Sequence, residues 1–166
     1  MRLLLPLAAY LAAALSPVTV HVVYDPTFTP AELAVLRAEA RAWTDAVPSL
    51  RVVDRIAECC DDTPGTCVAR VPRSAIDDAV GSSNTVAVTA QRPGGPIVYI
   101  DPEDPATRSG TFAHELGHAM GLMHDKHRHT LMYATQYCSL LRDPCDWPVP
   151  TFRDVSQWYI LRLEGK

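Results

Sequence analysis

The spacing of apolar positions changes several times along the chain, and each change marks an element. Val18 to Tyr24 (VTVHVVY) is rich in β-branched residues and ends at Asp25-Pro26, which predicts a strand. Thr29-Pro30-Ala31-Glu32 then supplies an N-cap, a proline for the first helical position and a glutamate that closes a capping box. Leu33, Leu36, Ala40, Trp43 and Val47 follow at spacings of three and four, laying one apolar stripe along a helix that Pro48 ends. Leu50 to Ile56 is a second strand. Strand, helix, strand suits a crossover connection and a parallel pair.

Glu58 to Thr66 is a loop by composition, and Cys67 to Val71 is a third strand candidate. Thr85 to Ala90 and Ile97 to Ile100 flank the turn signal Arg92-Pro93-Gly94-Gly95-Pro96, so they read as two strands of a hairpin. The acidic segment from Asp101 to Pro105 leads into a helix that must be running by Phe112. A last helix starts near Thr151, where Thr151 and Asp154 stand at N-cap and N3 spacing and Val155, Trp158 and Tyr159 can face the core. No repeat, low-complexity tract or linker interrupts this order.

Composition narrows the picture. A chain of 166 residues, 48% hydrophobic and 20% charged, has the balance of one globular domain. Its net charge of -4 argues against nucleic acid or an anionic membrane surface as partner. Arg2, the apolar run Leu3 to Leu15 and the small residues Ala12-Ala13-Ala14 read as a cleavable export signal over 1–14, leaving a single catalytic domain over 15–166. An uncleaved N-terminal anchor is the alternative. Five cysteines agree with an extracellular location. Cys138 and Cys145 close a short loop and suit a local bridge; one of Cys59 or Cys60 can pair with Cys67, leaving an odd thiol.

Residues 114 to 124 read HELGHAMGLMH. His114 and His118 are four apart, so on a helix their rings project from one face and can both reach a Zn²⁺ ion. Glu115 stands beside the first ligand, placed to act on water at the metal without ligating it. Gly121 can take the left-handed conformation that ends the helix and turns His124 back as third ligand. A fourth position stays open for water or substrate.

HELGHAMGLMH resembles the long zinc signature of the metzincin metalloendopeptidases, and Thr130-Leu131-Met132-Tyr133 is similar to their methionine turn. The resemblance implies one catalytic Zn²⁺ on His114, His118 and His124, Glu115 as general base and acid, and Met132 as support beneath the site. It implies an α+β fold with a mixed, mostly parallel twisted sheet, an antiparallel edge strand, an active-site helix and a C-terminal helix. It implies hydrolysis of protein or peptide substrates; the chain is expected to be secreted and monomeric. The substrate would lie along Thr85, Val86, Ala87 and Val88, with Tyr133 and Tyr137 near the selectivity pockets. The methionine turn is matrixin-like, whereas Asp125 after the third histidine is adamalysin-like. Ala134 stands where astacins carry a tyrosine ligand, so none is expected here. His127 and His129 read as solvated loop residues. Asp101, Glu103 and Asp104 lack a calcium-loop pattern and read as an acidic turn. Two other functions are compatible with the motif, a secreted zinc-binding effector without turnover and a zinc hydrolase of a non-peptide amide.

Overall fold

A computed structural model describes residues 16–81, 85–103, 110–127, 130–133 and 149–164. The elements run β1 (Val18–Tyr24), α1 (Pro30–Ala46), β2 (Leu50–Ile56), β3 (Thr66–Arg70), α2 (Arg73–Val80), β4 (Ala87–Arg92), β5 (Gly95–Ile100), α3 (Thr111–Ala119) and α4 (Phe152–Leu163). The sheet order is β2-β1-β3-β5-β4. Neighbours are parallel except β4, which runs antiparallel to β5 at the edge. This is the α+β architecture with an antiparallel edge that the sequence led us to expect.

The α1 capping box forms as predicted: Glu32 N donates to Thr29 Oγ1 at 3.3 Å, and Thr29 N donates to Glu32 Oε2 at 2.6 Å. Leu33, Leu36, Ala40, Trp43 and Val47 are all buried, so the stripe faces one core. There they meet Val22 and Tyr24 of β1, Val98 and Ile100 of β5, Phe112 and Leu116 of α3, and Trp158 of α4. Each such side chain contributes about 1.5–3 kcal/mol when fully withdrawn from water. The opposite face carries a smaller cluster around Val23, Cys67 and Ile97. The Cys59–Cys67 disulfide packs there, and Cys60 is the exposed free thiol among the described residues.

Strands β3, β4 and β5 depart from their expected bounds, β5 starting two residues early at Gly95. β3 starts and ends one residue early. β4 begins at Ala87, leaving Thr85 and Val86 ahead of it, and it continues through Arg92. The reason is long-range: Arg92 Nη1 donates to Cys60 O (2.6 Å) and Asp61 O (2.9 Å), and Gly94 N donates to Asp61 O (2.7 Å). The cysteine-bearing loop thereby holds the hairpin to its tip, and the turn shrinks to Pro93-Gly94. α2 went unforeseen. It is short and has no side-chain cap of its own; Asp101, on the segment after β5, accepts from Arg73 N at 2.8 Å. No helix among the described residues is long and apolar enough to cross a membrane.

Candidate active site

α3 carries the signature residues, and its N-terminus depends on α1. Gly110 offers no side-chain cap, so Glu39 supplies one, accepting from Ala113 N at 3.0 Å. Burial pushes Glu39 above the ordinary carboxylate range, outweighing hydrogen bonds from the backbone N–H groups of Gly110, Ala113 and Phe112. Trp43, also on α1, donates its indole N–H to Ala113 O at 2.7 Å. These two contacts seat the helix on the core.

The other end of α3 closes as the glycine predicts. Gly121 has φ +91°, Gly121 N donates to His118 O (2.9 Å), and Leu122 N donates to Gly117 O (3.0 Å). That pair of bonds is a Schellman closure, with Leu122 buried behind it. His124 consequently returns toward the face shared by His114 and His118.

The three imidazoles converge. His118 Nε2 lies 3.1 Å from His114 Nε2 and 3.0 Å from His124 Nε2, and His114 and His124 are 3.3 Å apart. His114 Nδ1 donates to Leu131 O at 2.6 Å and His118 Nδ1 donates to Leu122 O at 2.8 Å. A carbonyl only accepts, so both rings carry their proton on Nδ1 and leave Nε2 with a lone pair. Lone pairs this close repel unless a cation lies between them. Nitrogens placed tetrahedrally at about 2.0–2.1 Å from Zn²⁺ are about 3.3 Å apart, so the donor set fits that ion. Burial, with the neighbouring rings adding to it at His124, holds His114 and His124 below the usual imidazole range and favours the neutral, ligating form. Among the described residues this is the cluster able to hold a metal.

Glu115 is buried beside it, and its Oε2 accepts from Thr89 Oγ1 on β4 at 2.6 Å. Burial raises its proton affinity, opposed by the Thr89 bond and by His118 and His124. Met132 is fully buried under α3. A Cβ at Gly117 would fall 2.4 Å from Met132 Sδ and 3.0 Å from Trp43 Cζ2. Position 117 of the signature is therefore glycine because the methionine packs flush against the helix. Gly117→Ala should destabilise the protein by about 1–3 kcal/mol through overpacking, read as a lower urea midpoint. An unchanged midpoint would mean the gap can yield more than these contacts allow.

The loop after His124 is tied down by α4. Asp125 accepts from Arg153 Nε (3.1 Å), Gln157 Nε2 (3.2 Å) and His127 N (2.9 Å). Burial raises its pKa, but the hydrogen bonds from His127 N and Arg153 and the Arg153 charge outweigh it and hold the carboxyl below its usual range. Asp154, fully buried, accepts from Leu131 N (3.1 Å) and Met132 N (3.2 Å) as well as from Thr151. In the sequence Asp154 reads only as a helix cap, and no local pattern marks Glu39 or Thr89 as part of the site. The sole signal for Thr89 was its place in the alternating run TVAVTA.

The remaining expectations divide. Tyr133 is half-buried and bridges to Asp125, whereas Tyr137, Cys138, Cys145, Asp104 and His129 lie outside the described residues. His127 is half-exposed. Asp101 accepts from Arg73 N and Glu103 N, and Glu103 pairs with Arg70, so both acidic groups are engaged within the protein.

Residues 59–149, more than half of the chain, match a reprolysin-type model of metallopeptidase family M12. The chain belongs to that family. This M12 member has the fold of two solved structures. The first is high choriolytic enzyme 1, a hatching enzyme zinc-protease from Oryzias latipes (Medaka fish). It is 16% identical with a TM-score of 0.57, over 88% of this chain and 90% of that one. The second is archaemetzincin from Methanopyrus kandleri, 14% identical with a TM-score of 0.54, over 90% and 97%. No curated protein sequence matches the chain significantly. Family and site together make it a metalloendopeptidase.

Proposed function

We propose that this M12 peptidase cleaves extracellular proteins or peptides, with one Zn²⁺ held by His114, His118 and His124 and with Glu115 moving the proton. The observation that carries the reading is the convergence of three imidazole Nε2 atoms within 3.3 Å of one another beside a buried carboxylate. Bound there, Zn²⁺ supplies a Lewis acid that polarises a carbonyl and makes water acidic enough to attack near neutral pH. Glu115 Oε takes the proton released from that water and hands it to the leaving amine. Burial suits it to the first step, because a raised proton affinity makes the carboxylate a better acceptor of the proton from water.

The edge strand β4 offers backbone groups to an extended substrate, and half-buried Tyr133, next to Met132, would wall a side-chain pocket. Residues 1–14 act as the export signal, which agrees with the Cys59–Cys67 disulfide. One sample of exported protein tests the reading. Its intact mass should begin near Leu15, and its casein digestion should stop with a chelator and return with zinc. Digestion that ignores chelation would refute the metal assignment, and a mass that includes Met1 would point to an anchor.

A further inference from the structure

Thr89 stands at the centre of β4, and two of its properties meet at the reactive centre. Its hydroxyl oxygen lies 2.6 Å from Glu115 Oε2 and 3.0 Å from Glu115 O. A hydroxyl has one proton to give. The side-chain oxygen is nearer, at a short O–H···O distance, so the Glu115 carboxyl oxygen takes it.

The second property is the direction of the backbone. Asp101 N donates to Val86 O, which marks Val86–Asp101 as a hydrogen-bonded pair of the β4–β5 ladder. Such pairs alternate in an antiparallel ladder. Val88 and Ala90 therefore turn their backbone groups to β5, while Ala87, Thr89 and Gln91 turn theirs to the free edge. Pro96 agrees with this phase: it has no N–H to give and lies opposite Gln91.

We propose that Thr89 is a positioning residue for the peptidase reaction. Its backbone N–H and C=O pair with the extended substrate while its hydroxyl aims the Glu115 carboxylate, so one residue fixes the register between substrate and base. The inference rests on Glu115 acting as the proton carrier proposed above. It also moves the substrate register from Thr85–Val88 toward Ala87–Gln91.

Thr89→Val removes the hydroxyl and keeps shape and backbone; Thr89→Ser keeps the hydroxyl. Thr89→Val should retain zinc and leave KM within about threefold, while kcat falls about 10–100-fold. Thr89→Ser should recover most of that loss. In a Glu115→Gln background, Thr89→Val should cost almost nothing more. A readout independent of turnover comes from urea unfolding of the metal-free proteins. There Thr89→Val and Glu115→Ala, which removes the acceptor oxygen that glutamine would keep, should be coupled by about threefold or more in the unfolding equilibrium constant.

Wild-type kcat in Thr89→Val would overturn the proposal, leaving the hydroxyl as a tie between β4 and α3. Absence of coupling would overturn it too, whatever the activity. A wild-type protein that holds zinc but cuts no peptide would refute the peptidase reading instead, with the coupling still deciding the contact. Should Thr89→Val not fold, Thr89→Ala carries the same comparison.

Discussion

Glu115→Gln should hold about one equivalent of zinc while peptide hydrolysis falls about 10²–10⁴-fold, the usual cost of removing a general base. His118→Ala should lose both. The contrast follows from where the two side chains point. His118 Nε2 sits 3.0 and 3.1 Å from the other two Nε2 atoms, so its loss takes one of three convergent donors. The Glu115 carboxylate turns to Thr89 and is not part of the ligand cluster, and glutamine keeps its shape. Metal content measured beside kcat for three proteins separates the roles. A Glu115→Gln enzyme at wild-type rate would overturn the proton assignment even with zinc present. A His118→Ala protein that kept full zinc would overturn the ligand assignment.

Asp154→Ala should be the most damaging change outside the ligands. Its carboxylate accepts from the backbone N–H groups of Leu131 and Met132 and from Thr151, with no exposure to water. Leaving two buried N–H groups without an acceptor and deleting a helix cap should together cost about 3–5 kcal/mol. The effect should also reach the metal. Leu131 O, on the segment that Asp154 holds, orients His114 through Nδ1, and loss of such outer support weakens metal binding about 10–100-fold. Urea unfolding of the metal-free protein reads the first effect, and a zinc competition titration reads the second. Asp154→Asn should fall between, since its amide keeps one acceptor but turns a donor toward a backbone N–H. Stability within about 1 kcal/mol of wild type in Asp154→Ala would show that the turn supports itself.

The sequence by itself determined the elements whose causes are local. The α1 capping box, its apolar stripe, the pairing of His114 with His118 one turn apart and the left-handed break at Gly121 all arise within about a dozen residues. A chain of that length has few ways to satisfy them. Tertiary structure decided what lies between distant segments. The cap of α3 comes from Glu39 across 74 residues, the support of Glu115 from Thr89 across 26, and the hold on Met132 from Asp154 across 22. The register of β4 likewise waits on Arg92 reaching the loop at Cys60 and Asp61. The physical reason is the same in each case. Local steric and hydrogen-bonding preferences are written in neighbouring residue types, whereas a buried polar group is satisfied by whichever donor or acceptor the packed core brings to it. No spacing along the chain encodes that partner.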